Sequence, residues 1–261
     1  MRRLTMWLVS ASALAACSPA ADKNAESRTG DTTSAAAPAS AGPMAIVTVL
    51  YNQPKDTAAF EKYYASTHLP LVKANQPEIG FVRADLTKFS STADGKKPPF
   101  YRQAELYFNS MDDLKKGMGT AGFKKVADDL ANFATGGLTG MIATASNTHE
   151  AGSSDTPAAI VTVIYKTPKD TAAFEKYYSE THLPLVTSNK NEIGFEHAEL
   201  TKFSSNLDGT PASRYRQAEL YFPSMAALKK GVATPGFKKV AEDLPKFATG
   251  GLDALIGAET K

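Results

Sequence analysis

Two histidines stand in the same short motif at two places in the chain. His68 and His182 each lie in the stretch Thr-His-Leu-Pro-Leu, four residues after Tyr64 and Tyr178 respectively. Residues four apart share one face of a helix, so the imidazole and phenol rings can meet there. An imidazole titrates near neutral pH, which suits a general acid or base. The alternative is structural: the histidine ends its helix before the nearby proline and bonds a backbone carbonyl.

Two glutamates are the second pair of candidate catalytic residues. Glu105 and Glu219 lie in the middle of a repeated segment, Tyr-Arg-Gln-Ala-Glu-Leu-Tyr-Phe, that reads as a β-strand. A carboxyl group buried in such a strand has a raised pKa and can transfer protons. The alternative is an ion pair with Arg83 or Arg102, or with their counterparts in the second copy.

Alternation along this strand separates two faces. Ala104, Leu106 and Phe108 alternate with a polar and aromatic set that includes Gln103 and Glu105. We expect the apolar set to pack under helices and the other set to line the opposite, open face of the sheet. The residues predicted to contact a ligand are Tyr64, Tyr178, Tyr101, Tyr107, Tyr215, Tyr221, Arg83 and His197.

The two copies differ on the neighbouring strand. Arg83 aligns with His197, and Asp85 aligns with Glu199. A permanently charged guanidinium close to a histidine lowers the pKa of the imidazole and favours the neutral base. We therefore expect the two motif histidines to differ in importance, with His68 slightly ahead.

These residues recur because one long segment occurs twice. Residues 45–145 align without a gap with residues 159–259 at a constant offset of 114 positions, and the second repeat extends to residue 261. Each copy shows the order β-α-β-β-α-β, with the first helix capped by Asp56 and expected to stop near Pro70. A four-stranded sheet with both helices on one face needs a cover for the other. The obvious cover is the same face of the other repeat, so the predicted fold is α+β: two ferredoxin-like repeats packed sheet to sheet.

The stretch LYNQPKDTAAFEKYYASTHLPLV and its twin IYKTPKDTAAFEKYYSETHLPLV resemble the EthD family of dimeric α/β-barrel proteins. The resemblance implies that the two repeats form a pseudo-dimeric α/β barrel within one chain, with an internal cavity that holds a small apolar or aromatic molecule. It also implies oxidoreductase-type or related cofactor-independent chemistry, and a homo-oligomer is compatible with it. A non-catalytic small-molecule binding protein and an interaction scaffold are the alternatives.

The sequence contains a motif and residue types that could indicate a cofactor or metal site, but their positions and spacing do not match such a site. The run from Gly117 to Gly122 spells G-x-G-x-x-G, but it follows a helix, and the second copy has Ala233 and Pro235 within it. The 4 histidines and single cysteine show no metal-ligand spacing. We therefore expect no cofactor and no metal. Net charge is only +2, so nucleic-acid binding has no compositional support.

The N-terminus predicts export. Arg2 and Arg3 precede an apolar run that ends in Leu-Ala-Ala-Cys17, which resembles a bacterial lipobox, so residues 1–16 are expected to be a signal peptide. Residues 17–44 are then a disordered tether and residues 146–158 a linker between repeats. The expected partner is a membrane, reached through lipidated Cys17. Because Ser18 follows the cysteine, we expect the protein in the bacterial cell envelope, on the outer membrane and facing the periplasm.

The anchor gives the first testable prediction. Cys17→Ser removes the sulfur that would be acylated, so the precursor should stay unprocessed and should incorporate no radiolabelled palmitate, whereas the natural chain incorporates it. Acyl chains hold a protein by ~0.8 kcal/mol per buried methylene, so the variant should also leave the membrane fraction. Palmitate labelling of the variant at the level of the natural chain would refute the lipobox.

Overall fold

The computed structural model describes residues 43–147 and 158–260. Cys17, the predicted signal peptide, nearly all of the tether and most of the linker lie outside these ranges. Within them, no helix has the length and apolar character needed to cross a membrane.

Each repeat contributes four strands. The strands of the first repeat are β1 (Ala45–Asn52), β2 (Arg83–Thr92), β3 (Phe100–Phe108) and β4 (Leu138–Asn147). Those of the second are β5 (Ala159–Tyr165), β6 (His197–Asn206), β7 (Arg216–Phe222) and β8 (Leu252–Glu259).

Helices connect these strands in matching places. The first repeat has α1 (Thr57–Tyr63), α2 (Leu69–Ile79), α3 (Met111–Met118) and α4 (Ala121–Asp129). The second has α5 (Thr171–Tyr177), α6 (Leu183–Ser188), α7 (Lys190–Ile193), α8 (Met225–Val232) and α9 (Pro235–Asp243). Single 3-10 turns, Leu130–Asn132 and Leu244–Lys246, follow α4 and α9.

The first helix does not stop near Pro70, as the sequence suggested. A five-residue π-helical turn, Tyr64–His68, links α1 to α2, and the chain stays helical as far as Ile79. The amide of Leu69 donates to the carbonyl of Tyr64, five residues earlier. A proline inside a regular α-helix loses one hydrogen bond and clashes with the carbonyl four residues before it. The wider turn immediately before Pro70 removes that conflict, and Tyr178–His182 repeats it in the second copy.

The eight strands close into one antiparallel barrel within a single chain, in the order β1-β3-β2-β8-β5-β7-β6-β4. Each repeat keeps the ferredoxin-like sheet order, and the edges of the two sheets pair as β2 with β8 and β4 with β6. An unpaired strand edge leaves backbone donors and acceptors unsatisfied, so this closure satisfies both sheets at once. The predicted α+β pseudo-dimeric barrel is confirmed.

The inner and outer faces of the barrel differ in character. The interior cluster joins side chains of both repeats, including Ile46, Tyr107, Ile164 and Phe203, and no residue of a helix. On the outer face of the first sheet, Phe108 packs with Ile79 and Leu114 of the helices, and the second repeat matches this arrangement. The alternation along β3 therefore separates the faces as expected.

Tyr101 and Tyr215 are exceptions to that alternation. The register between β1 and β3 shifts between Tyr51 and Asn52, which pair with Arg102 and Phe100 respectively. A bulge of this kind adds one residue and reverses the facing of what precedes it. Phe100 consequently enters the barrel, while Tyr101 joins Phe60 in the aromatic cluster under the helices. Tyr215 occupies the matching place beside Phe174.

Separation of the repeats tests the closure. The isolated Ala45–Ala145 segment should dimerise or aggregate at micromolar concentration, because it exposes two strand edges and the polar interior face. Analytical ultracentrifugation of this segment beside the full chain measures the outcome. A well-folded monomer, as stable towards urea as the full chain, would show that the repeats do not depend on each other.

Candidate functional site

Each repeat holds a cavity between its helices and the outer face of its sheet. The cavity of the first repeat, here called the repeat-1 pocket, has a volume of about 290 Å³ and a mostly apolar lining. The ligand cavity was expected inside the barrel, but buried side chains pack against one another in the barrel interior and the two cavities beside the histidines lie outside it. Eight strands enclose an interior just wide enough for side chains to fill, which explains the difference.

His68 is the principal polar group in the wall of the repeat-1 pocket. It is only 3% exposed, and its Nδ1 lies 2.8 Å from Oδ2 of Asp129, at the end of α4. The hydroxyl of Tyr63 donates to the other carboxylate oxygen of Asp129, at 2.8 Å. Because the carboxylate takes the Nδ1 proton, Nε2 is left as the basic nitrogen of the neutral ring.

Burial controls the protonation of this ring. Removal from water lowers the pKa of His68 below its ordinary value, and the neighbouring Asp129 opposes that effect only in part. The ring is therefore neutral at pH 7. Asp129 itself has a lowered pKa, because its hydrogen bonds from His68, Tyr63 and Asn132 outweigh its desolvation.

Aromatic packing holds the imidazole in place. Its ring lies 4.6 Å from that of Phe133 and stacks on Tyr64 at 5.6 Å. Tyr64 in turn lies against Tyr51 and beneath the guanidinium of Arg102. The π turn carries both Tyr64 and His68, so the local backbone widening sits at the site.

The repeat-2 pocket reproduces this arrangement with a volume of about 360 Å³. His182 Nδ1 lies 2.9 Å from Oδ2 of Asp243, and Tyr177 donates to the same carboxylate. Burial lowers the pKa of His182 as it does that of His68. The hydroxyl of Tyr178, which lines the pocket and is 2% exposed, has no hydrogen-bond partner among the described residues.

The aspartates are the functional residues that sequence reasoning missed. Asp129 and Asp243 are retained in both copies, as Ala-Asp-Asp-Leu and Ala-Glu-Asp-Leu, while the residue before them varies. Each lies three residues after a buried valine of the helix stripe, which was the available signal. The recorded partner of each histidine Nδ1 is this carboxylate, so the carbonyl-bonding alternative does not describe Nδ1.

Glu105 and Glu219 lie on the other face of the sheet, inside the barrel. Oε1 of Glu105 accepts hydrogen bonds from Thr48 and from Gln217 of the other repeat, both at 3.1 Å. Glu219 accepts the matching pair from Thr162 and Gln103. Among the described residues, neither glutamate forms an ion pair. Both glutamates are buried on the inner face of the sheet, whereas the pocket histidines lie beside its outer face.

A proton on Glu105 completes this interior network. The Tyr107 hydroxyl lies 2.7 Å from Oε2 of Glu199 and 3.3 Å from Oε2 of Glu105, and one hydroxyl has one proton to donate. A protonated Glu105 can donate to Tyr107 in return. Burial, followed by the nearby charges of Glu199 and Asp85, raises the pKa of Glu105, and burial likewise raises that of Glu219. Asp85 has its pKa raised to about 6, chiefly by burial.

Arg83 and His197 also belong to the barrel interior and do not line either pocket. Arg83 pairs with Asp85 and Glu199, and its guanidinium lies over the ring of Tyr107. His197 stacks on Tyr221. Their neighbours Ala84 and Ala198 are the residues that line the pockets, because alternate residues of a strand face opposite ways. The expectation that Arg83 tunes His68 is therefore wrong. The two histidine–aspartate pairs differ instead three positions after the aspartate, where Asn132 donates to Asp129 and Lys246 forms an ion pair with Asp243 at 3.1 Å.

Tyr101 and Tyr215 brace the helices. Tyr101 donates to Glu61 of α1 at 2.6 Å, and Arg102 forms an ion pair with the same carboxylate at 2.7 Å. These contacts lower the pKa of Glu61 to about 2, despite partial burial. Tyr215, Arg216 and Glu175 repeat the cluster. Among the described residues, no group of histidine, cysteine and acidic side chains is placed to hold a metal ion.

The comparisons with known proteins agree with the fold of the two repeats. A family model described as EthD domain matches residues 52–137 and 166–251, once in each repeat and together over more than half of the chain. The chain belongs to the EthD family. A relative from Rhodococcus erythropolis is 37% identical to this chain over 99 residues. It is described as an uncharacterized 11.0 kDa protein in the thcB–thcC intergenic region. That alignment covers 38% of this chain and 92% of the relative.

Solved structures extend the comparison. An EthD family protein from Bacillus halodurans is 30% identical and covers 41% of this chain and 99% of its own, with a TM-score of 0.35. An anthrone oxidase-like protein is 14% identical and covers 84% of this chain and 92% of its own, with a TM-score of 0.57. The second structure spans both EthD repeats and shares the fold of the whole barrel.

The interior carboxyl groups predict a pH-dependent stability. A raised folded-state pKa means that stability is fully present below the pKa of the unfolded chain and is lost as pH rises through the folded value. Glu105→Gln mimics the neutral group, so its stability relative to the natural chain should grow between pH 5 and pH 8. The expected gain is on the order of 1 to 3 kcal/mol, at about 1.4 kcal/mol per tenfold change in protonation.

Urea unfolding at both pH values measures this effect, with Glu61→Gln as the matched control. The pKa of Glu61 lies near 2, so its replacement should shift stability by the same amount at both pH values. A stability difference for Glu105→Gln that is equal at pH 5 and pH 8 would contradict a protonated Glu105.

Proposed function

We propose that each EthD repeat binds a small apolar or aromatic molecule in its pocket and that His68 or His182 exchanges a proton with it. The observation that carries this proposal is a buried histidine–aspartate pair whose histidine lies in the wall of a mostly apolar cavity. Pockets of a few hundred Å³ with a few converging polar groups are typical small-molecule sites.

The geometry supports general base catalysis. Asp129 holds the Nδ1 proton and orients the ring, so Nε2 accepts a proton from a phenol or from a methylene group beside an aromatic carbonyl. The imidazolium that forms is stabilised by the carboxylate. Because the pKa of the histidine is lowered, the ring is already in its basic form at neutral pH.

Oxidoreductase-type chemistry can follow from that proton transfer with dioxygen as the oxidant. The carbanion left by an activated methylene reacts with O₂; one oxygen atom replaces the two hydrogens as a carbonyl, and the other leaves as water. The methylene loses four electrons and dioxygen gains four, so the step balances. The anthrone oxidase-like neighbour shares the fold at 14% identity, and the reaction proposed here rests on the pocket.

Binding without turnover is the second candidate function. The Tyr178 hydroxyl, buried in the pocket wall without a recorded partner, favours a ligand that accepts or donates one hydrogen bond. Such a contact serves a binding protein as well as an enzyme. The barrel interior, by contrast, is packed with buried side chains, and we assign it the role of stabilising the fold.

The lipobox supports a place for this chemistry. We propose that Cys17 anchors the EthD barrel to the cell envelope, where an apolar ligand partitions between lipid and pocket.

The test is oxygen consumption with anthrone as the probe, with formation of anthraquinone followed by absorbance. His68→Ala and His182→Ala should each remove about half of the activity, and the double variant should lose roughly 10²- to 10⁴-fold, the usual contribution of positioned acid–base catalysis. Asp129→Asn with Asp243→Asn should lower the rate as well. Asp128→Asn with Glu242→Gln is the matched control, since these exposed neighbours do not contact the histidines.

The pH dependence adds a second readout. The rate should rise with pH through an apparent pKa below 6.5 and level off by pH 7, because the basic form of a histidine with a lowered pKa is required. Imidazole resonances in NMR titrations should report the same value. Undiminished turnover in the double histidine variant would overturn catalysis, and anthrone binding by calorimetry without turnover would favour the binding protein.

A further inference from the structure

The two pockets share most of their lining but are not identical. At matched positions, offset by 114 residues, the tyrosines, the histidine and nearly all aliphatic residues are the same. The cavity volumes nevertheless differ, at about 290 Å³ for the repeat-1 pocket and about 360 Å³ for the repeat-2 pocket. The lining residues that differ must account for this.

One difference comes from the opposite repeat. Leu207, at the tip of the β6–β7 connection of the second repeat, lines the repeat-1 pocket. Its matched residue Ala93, at the tip of the β2–β3 connection of the first repeat, lines the repeat-2 pocket. The backbone pins both tips: Leu207 N–H donates to Gly140 at 3.0 Å, and Ala93 N–H donates to Ala254 at 2.9 Å.

The residues opposite the tips are adapted to them. A Cβ at Gly140 would collide with Cδ1 of Leu207, so an alanine at this strand position would displace the leucine side chain. Across the barrel, Ala254 occupies the matched position and faces the smaller Ala93. The two pairs, Leu207 with Gly140 and Ala93 with Ala254, are alternative solutions to one packing problem.

Charge does not distinguish the pockets in the same way. Each lining includes one lysine, the exposed Lys73 in the repeat-1 pocket and the half-buried Lys190 in the repeat-2 pocket. Their matched residues, Thr187 and Gln76, are both neutral and polar. Thr187 is smaller than Lys73, so this pair adds to the difference in volume, and the tip pair is the part of that difference that the opposite repeat supplies.

We propose that the pockets select ligands of different length, and that residues 93 and 207 determine this selection from the opposite repeat. The repeat-2 pocket takes longer members of the ligand class because Ala93 leaves open the space that Leu207 fills in the repeat-1 pocket. This inference rests on the proposed binding function of the pockets. In this proposal, a residue of each repeat limits the length of the ligand that binds in the pocket of the other repeat.

Single-pocket variants allow the pockets to be measured apart. Ala104 and Ala218 are matched strand residues that line the repeat-1 and repeat-2 pockets respectively. Ala218→Trp should fill the repeat-2 pocket and leave the repeat-1 pocket for study, and Ala104→Trp should do the reverse. The probes are 4-n-alkylphenols from propyl to octyl, titrated by calorimetry against the full chain, with folding checked by circular dichroism.

Affinity should rise about fourfold per methylene in both variants while the chain fits, which corresponds to ~0.8 kcal/mol for each buried methylene. In Ala218→Trp this rise should stop earlier, and in Ala104→Trp it should continue for roughly two further methylenes. Ala93→Leu with Ala254→Gly, added to Ala104→Trp, should move the limit to the shorter length. Leu207→Ala, added to Ala218→Trp, should move it to the longer one.

The outcomes separate the inference from the function beneath it. Binding in both variants with the same length limit, or a limit that ignores exchange at positions 93 and 207, overturns the length selection and leaves the binding function standing. No binding of any alkylphenol in either variant overturns both. If a tryptophan variant does not fold, Leu207→Ala is tested alone in the otherwise natural chain. It must still lengthen the longest alkylphenol that the smaller, repeat-1 pocket accepts.

Discussion

Pairing between the edge strands of the two repeats is the interaction on which the rest of the molecule depends. The β2–β8 and β4–β6 ladders convert two open sheets into one closed barrel. Closure then decides what can be buried. Glu105 receives a hydrogen bond from Gln217 and Glu219 receives one from Gln103, so each repeat solvates the carboxyl group of the other. A polar sheet face that would be wet in a single repeat becomes the interior of the double one.

The site depends on a different feature, the π turn that precedes Pro70 and Pro184. It carries the stacked tyrosine and histidine of each pocket and brings the imidazole to the aspartate at the end of a distant helix. The aspartate counters desolvation only in part, so the ring is both oriented and neutral. Each component on its own is ordinary, and their combination in an apolar wall makes a base.

Much of this architecture could be predicted from the chain alone. The repeat offset, the strand alternation and the β-α-β-β-α-β order were sufficient to predict two sheets packed face to face, and the EthD resemblance supplied the barrel. Tyr101 was misplaced because a bulge reverses the facing of one residue without changing the residue pattern. The helix beyond Pro70 was missed because proline normally ends a helix, and no propensity rule anticipates the widened turn.

Long-range features of the site were the least accessible. Asp129 stands 61 positions from His68, so no local motif joins them. Arg83 was expected beside the pocket because its strand contributes Ala84 to the pocket lining. Alternate residues of a strand face opposite ways, so the Arg83 side chain lies in the barrel interior, where it pairs with Glu199. The sequence showed on which helix or strand each site residue lies, but it did not show which residue of another element that side chain contacts.

The exchange of loop tips between repeats has a consequence for how this gene can change. The two halves are identical at about two-thirds of their aligned positions, which gives gene conversion, the overwriting of one copy by the other, matching stretches to act on. If conversion carried the alanine codon of position 254 to position 140, the new side chain would meet Leu207, which is encoded in the half that served as donor. The incompatibility would thus arise between an overwritten residue and an untouched one. An alanine at position 140 would displace Leu207 from the repeat-1 pocket, so the packing of Leu207 on Gly140 opposes this particular exchange and helps the two halves to keep distinct pockets.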